Sequence, residues 1–123
     1  MTVTVLIAED EQNIAESLRF ILERAGCAVR HASDGEEALS QTRASKPDVL
    51  VLDVMLPSLN GFDVLKTIRA DAALKDIAVL VLTAKGQSQD RQTADALGAD
   101  AFMTKPFDNS DIVNEVLRLG ARD

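Results

Sequence analysis

Val49-Leu50-Val51-Leu52-Asp53-Val54-Met55-Leu56-Pro57 is the stretch whose reading decides the fold. Four branched apolar residues follow one another, and a carboxylate stops the run. A strand with one wet face alternates apolar and polar residues. A strand apolar on both faces belongs in a parallel sheet covered by helices on each side. Ala78-Val79-Leu80-Val81-Leu82 has the same character and is followed by Thr83. Working outward, five runs dominated by apolar residues occur, at residues 3–8, 28–32, 49–52, 77–82 and 101–103.

Helical spacing fills the intervals. Ile14, Leu18, Ile21, Leu22 and Ala25 recur on one face, and Gly26 follows as a stop. Ala38, Leu39 and Thr42 mark a second helix ending before Pro47; Val64, Leu65 and Ile68 mark a third. Ala94 and Leu97, then Gly98, mark a fourth. Ile112, Val113, Val116 and Leu117 mark a fifth, with Asp108, Asn109 or Ser110 available as its N-cap. A strand-helix alternation repeated five times predicts a doubly wound α/β fold, a (βα)5 domain over residues 1–123. Right-handed crossovers put helices on both faces of a five-stranded parallel sheet. No output domain is expected within the chain.

Composition narrows the chemistry. The 123 residues suit one core, and a 46% apolar fraction can fill it. Thirteen basic and 20 acidic residues leave a net charge of −7, which disfavours direct nucleic-acid binding. No run approaches the roughly 18 apolar residues of a membrane span, and no signal-peptide pattern opens the chain. Cys27 stands alone, which fits a reducing cytoplasm, and reads as a small hydrophobe. His31, also single, has no cluster of metal-binding partners. Trp and Tyr are absent, which argues against an aromatic platform for bases or flavins.

The residues at the ends of the apolar runs carry the functional reading. The first run ends in Glu9-Asp10-Glu11, the third in Asp53, the fourth in Thr83 and the fifth in Thr104-Lys105. Ligands of open α/β sheets bind outside the carboxyl ends of the strands, where the strand order reverses. A strand order of 2-1-3-4-5 brings Glu9, Asp10 and Asp53 together there, with Thr83 and Lys105 beside them. Clustered carboxylates are costly without a counterion. Mg²⁺, or Mn²⁺ in its place, is a hard cation held by a few carboxylates, waters and phosphate oxygens. Lys105 adds a point charge suited to phosphate, and Thr83 adds a hydroxyl donor. The set suits a carboxylate nucleophile that accepts a phosphoryl group beside a metal. Glu11 reads as helix-start charge; Phe62 and Phe107 read as packing, and Pro57 and Gly61 as turn residues.

The motifs Ala8-Glu9-Asp10-Glu11, Val51-Leu52-Asp53-Val54-Met55-Leu56-Pro57 with Gly61, Val81-Leu82-Thr83-Ala84 and Thr104-Lys105-Pro106-Phe107 resemble the bacterial response-regulator receivers over essentially the whole chain. The resemblance implies a flavodoxin-like sheet of order 2-1-3-4-5. It implies Asp53 as acceptor of a phosphoryl group from a sensor histidine kinase or histidine phosphotransfer protein. It implies a metal site of Glu9, Asp10, Asp53 and the Met55 backbone carbonyl. Lys105 and Thr83 then meet the phosphoryl group, and Phe102 is the aromatic switch residue. The Lys105–Pro106 bond is the family's cis bond. The side chains of Met55 and Lys85 border the phosphoryl group and influence its lifetime, with slower self-hydrolysis expected here than with an amide and a carboxylate at those positions.

On this reading the domain is a cytoplasmic signalling switch, not an enzyme. It changes the surface of its fourth helix, fifth strand and fifth helix, and acts on a downstream protein target. It acts as a monomer or a phosphorylation-dependent dimer. Excision from a larger regulator is the alternative. Ala101 and Glu115 depart from the charges that winged-helix regulators of the family use to dimerise, which favours a single-domain regulator. An Asp-nucleophile phosphatase would need a second Asp where Met55 stands. A flavin carrier would need a hydroxyl- and Gly-rich phosphate loop.

Overall fold

A computed structural model describes residues 2–84 and 88–121. Five strands and five helices alternate: β1 (Thr4–Ala8), α1 (Gln12–Arg24), β2 (Ala28–Ala32), α2 (Gly35–Ala44), β3 (Val49–Asp53), α3 (Gly61–Ala70), β4 (Ala78–Ala84), α4 (Ser88–Ala96), β5 (Ala101–Lys105) and α5 (Asn109–Gly120). All strand pairs are parallel, and the order is β2-β1-β3-β4-β5. This is the flavodoxin-like doubly wound fold expected from the sequence. The order reverses between β1 and β3, which opens a crevice at their carboxyl ends.

The unbroken apolar run of β3 is explained by its two faces. Leu50 and Leu52 pack with Leu6, Val64, Leu65, Ile68, Val79 and Val81. Val49 and Val51 pack with Val5, Ile7, Leu18, Leu22, Leu80, Leu82 and Ile112. Side chains alternate across a strand, so each layer takes every second residue. Burying each such side chain contributes roughly 1.5–3 kcal/mol relative to exposure, which suits β3 to the centre of the sheet, between β1 and β4.

Strand boundaries extend past the apolar runs. Asp53 is opposite Leu82, Thr83 opposite Thr104, and Ala84 opposite Lys105. The ladder is made by backbone groups, so it continues through polar residues that periodicity treats as stops. The same reasoning moves Ile77 out of β4, because its N–H is used by the Leu74 carbonyl at 3.1 Å in the preceding turn.

Local chemistry fixes the helix ends. Asp34 accepts from the Glu37 N–H at 2.8 Å and Asn60 from the Asp63 N–H at 3.0 Å, as N-caps do. Asp108 occupies the N-cap of α5 without a side-chain cap bond. Gly26 sits at φ 96°, a conformation that ends α1 and strains any residue with a Cβ. Gly61 matters for a different reason. A Cβ there would lie 2.4 Å from the Asp53 carbonyl oxygen, so α3 can start against the site only with glycine in that place.

Candidate functional site

Glu9 follows β1 directly, and its backbone is fixed from both sides. Its N–H donates to the Ala32 carbonyl at 3.0 Å. Its own carbonyl accepts from His31 Nε2 at 2.7 Å. The carboxylate is fully buried, at 0% exposure. Its Oε1 receives Lys105 Nζ at 2.8 Å and its Oε2 the Glu11 N–H at 3.2 Å. Asp53 ends β3 at 4% exposure. Its Oδ2 lies 3.4 Å from Lys105 Nζ, and its Oδ1 accepts from the Met55 N–H at 3.4 Å. Asp10 is exposed beside them. One carboxylate oxygen each from Glu9, Asp10 and Asp53 lies within 4.8 Å of the others.

The electrostatics follow from burial and charge. Burial pushes the Glu9 carboxyl up from 4.5 to about 7; the neighbouring Asp53 charge adds to this, and the Lys105 hydrogen bond opposes it. Burial would lower the Lys105 ammonium, but its hydrogen bond to Glu9 and the charges of Asp53 and Glu9 outweigh that and hold it above its ordinary value. A proton is thus retained near neutrality in a site rich in carboxylate oxygens, and a hard divalent cation would supply the missing positive charge. The donor set fits such an ion: three carboxylates, no thiolate or imidazole, and one side open to solvent through Asp10.

Thr83 ends the buried part of β4 at 2% exposure. Its hydroxyl donates to Asp90 Oδ2 of α4 at 2.5 Å. Phe102 on β5 is half-buried against the layer that contains Val79, Val81 and Ala94. The Arg91 guanidinium sits 5.3 Å from its ring centroid. The Lys105–Pro106 peptide bond is cis. Met55 is 73% exposed. Lys85 lies outside the described residues. A groove of roughly 690 Å³ runs from Asp53, Asp10 and Lys105 past Met55 to Ile14 and Phe107.

Three participants were not assigned to the site from the sequence. His31 supports the Glu9 backbone from β2, and a strand-end histidine carries no local signal of that. Asp90 and Arg91 reach Thr83 and Phe102 from α4, a helix with few apolar positions for periodicity to detect.

A five-stranded parallel sheet with acidic residues and a lysine at its switch point defines a class of α/β domains with a cation- and phosphate-compatible crevice. The sequence profile of the response regulator receiver domain matches residues 5–117, and the chain belongs to that family. It is 43% identical over 121 residues to the alkaline phosphatase synthesis transcriptional regulatory protein PhoP of Bacillus subtilis, covering 96% of this chain and 50% of that protein. It is 41% identical over 119 residues to the probable transcriptional regulatory protein TcrX of Mycobacterium tuberculosis, covering 97% and 49%. The chain therefore spans about half the length of these curated relatives. Among solved structures, a Francisella response regulator receiver domain superposes with a TM-score of 0.90 at 30% identity, covering 97% of each chain. The chemotaxis response regulator CheY4 of Vibrio cholerae superposes with a TM-score of 0.89 at 29% identity, covering 97% of this chain and 99% of that one. No helix among the described residues is long and apolar enough to cross a membrane.

Proposed function

We propose that this receiver domain accepts a phosphoryl group on Asp53 from the phosphohistidine of a sensor histidine kinase or histidine phosphotransfer protein. The observation that carries the reading is Lys105 Nζ held between Asp53 Oδ2 and Glu9 Oε1, beside three converging carboxylates. An Asp53 oxygen attacks phosphorus, the P–N bond breaks with its electron pair left on the imidazole, and an acyl phosphate forms. Glu9, Asp10, Asp53 and the Met55 carbonyl would hold Mg²⁺, which when bound neutralises charge on the transferring phosphoryl group. Lys105 is a second, permanent counter-charge. The Met55 N–H orients the Asp53 carboxylate. The product adds roughly −1.5 to −2 charge, which Lys105 would meet as a cation and Thr83 as a hydroxyl donor once it turns inward.

The output is a changed surface over α4, β5 and α5, as Thr83 turns toward the phosphoryl group and Phe102 turns inward. The population that switches is set by how much better the phosphoryl group is bound in that state. The domain then signals by protein contact, in the cytoplasm, rather than by turning over a substrate. A second reading concerns what the domain is attached to. Relatives of twice the length carry the names of transcriptional regulatory proteins; on this reading the target is supplied in cis, and residues 1–123 form the receiver of a longer regulator. The net charge of −7 keeps DNA contact away from this domain in either case.

The test is intact mass after incubation with Mg²⁺ and acetyl phosphate. One added phosphoryl group on the wild type, absent in Asp53→Asn and absent when EDTA removes the metal, supports the reading. A folded wild type that neither gains mass nor binds beryllofluoride overturns it.

A further inference from the structure

Two consecutive residues on the first turn of α4 each hold one of the residues that the switch must move. Asp90 receives the Thr83 hydroxyl at 2.5 Å. Arg91 lies over the Phe102 ring at 5.3 Å. We propose that Asp90 and Arg91 form a latch that holds Thr83 and Phe102 in the resting arrangement and so sets how readily the domain takes up a phosphoryl group. The inference rests on the reading of Asp53 as phosphoacceptor.

Thr83 has one hydroxyl proton. It can be donated to Asp90 or to a phosphoryl oxygen at Asp53, not to both. A hydrogen bond to a carboxylate is stronger than a neutral one, and Thr83 is shielded from water, so the bond is not readily replaced by solvent. Phosphorylation must therefore break it. Asp90 is only half-buried and can regain water once released. Because Arg91 is its chain neighbour, displacement of Asp90 also carries the cation away from Phe102 and frees the ring to move. The two contacts link events at Asp53 to the position of α4 without any chain of intermediates. Apparent affinity for a phosphoryl mimic is reduced by the fraction of molecules held in the latched state, so loosening the latch tightens binding.

The test titrates beryllofluoride with Mg²⁺ into the metal-loaded protein by calorimetry. Asp90→Ala is expected to tighten binding about tenfold, on the scale of one charged hydrogen bond. Asp90→Asn keeps an acceptor oxygen but only a neutral hydrogen bond, roughly half as strong, and is expected to tighten binding about threefold, between wild type and Asp90→Ala. Arg91→Ala is expected to tighten binding about two- to threefold, on the scale of an exposed cation–π contact. In a Thr83→Val background, Asp90→Ala should have no further effect. Equal tightening by Asp90→Ala and Asp90→Asn, or tightening that survives Thr83→Val, would assign the effect to charge repulsion and overturn the latch. No change in Asp90→Ala would overturn it as well. The Thr83 χ1 angle, read from three-bond couplings in the metal-free protein, separates this outcome from failure of the phosphoacceptor reading. One rotamer in wild type and averaging in Asp90→Ala is expected, and a Thr83 locked equally in both rejects the latch whether or not beryllofluoride binds.

Discussion

At the amino end of the sheet, Arg69 of α3 spends its donors on fixed oxygens. It bonds the Gly98 carbonyl at 2.9 Å, the Lys75 and Ile77 carbonyls at 2.7 Å, and Asp100 Oδ2 at 2.8 Å. Asp100 Oδ2 also accepts from the Val79 N–H at 2.8 Å. At the carboxyl end, Lys105 stands against Glu9 and Asp53, with Asp10 close by. Both ends place polar groups where the strands stop. The amino end joins α3, β4 and the turn before β5 through matched donors and acceptors. The carboxyl end has more carboxylate than cation, and burial leaves Glu9 protonatable near neutrality. An excess of like charge that folding alone does not need is a mark of a site kept for what binds there.

The largest test of this contrast is Asp53→Asn. It should abolish the phosphoryl adduct seen by intact mass. It should also raise the midpoint of thermal unfolding in the absence of metal, because removing one charge relieves its neighbours. A variant that loses both the adduct and stability would place the carboxyl end among the stabilising features and collapse the distinction.

Glu9 supplies the next effect, a loss of stability as pH rises. Its folded carboxyl is raised from 4.5 to about 7. Below pH ~4.5 it is protonated folded and unfolded, and contributes nothing. As pH rises toward about 7, the unfolded chain ionises while the folded one keeps its proton, so stability falls by about 3 kcal/mol and then levels off. Urea unfolding of metal-free protein across that range should show the slope, and Glu9→Gln should flatten it. Saturating Mg²⁺ should oppose the loss, since a cation displaces the retained proton and binds more tightly as pH rises.

Arg69→Met should behave in the opposite way to Asp53→Asn. Asp100 keeps the Val79 bond but loses the ion pair with Arg69, and the carbonyls of Gly98, Lys75 and Ile77 lose a donor. Unfolding should become easier by about 2 kcal/mol, reduced from the cost at a fully buried pair because both side chains are partly exposed. The folded fraction should still take up a phosphoryl group from acetyl phosphate. Loss of phosphorylation in a folded Arg69→Met protein would show that the two ends are coupled.

Much of the carboxyl end was legible because its residues terminate conspicuous apolar runs. Asp53, Thr83 and Lys105 are each separated from the next by a strand-length of Val, Leu or Ile or by a helix, and the resemblance supplied the order that brings them together. The amino end was not legible. Arg69 closes a helix whose periodicity identifies only Val64, Leu65 and Ile68, and no spacing announces that its guanidinium will meet Asp100 across thirty-one residues. Asp90 and Arg91 escaped for a related reason. Both are polar residues on a helix with few apolar positions, and their roles depend on contacts with β4 and β5. Side chains that stop an apolar run can be placed from pattern; side chains that reach sideways between elements need coordinates.

The smallest effect concerns reactivity alone. Met55 borders Asp53 in the groove, is largely exposed, and has a thioether that is a weak acceptor and no donor. With Asp53 as the proposed phosphoacceptor, its side chain would cover part of the approach to phosphorus and could not orient a water there. Asn at this position could hold such a water by donating and accepting. Met55→Asn should shorten the lifetime of the phosphorylated protein about threefold, the scale of one neutral hydrogen bond, measured as loss of the mass adduct after the donor is removed. Stability should stay within about 0.5 kcal/mol, as for surface substitutions elsewhere. A decay rate unchanged by Asn would mean that water already reaches the phosphoryl group in an attacking geometry. The excess charge of the carboxyl end, rather than the side chain covering it, would then set how long the signal lasts.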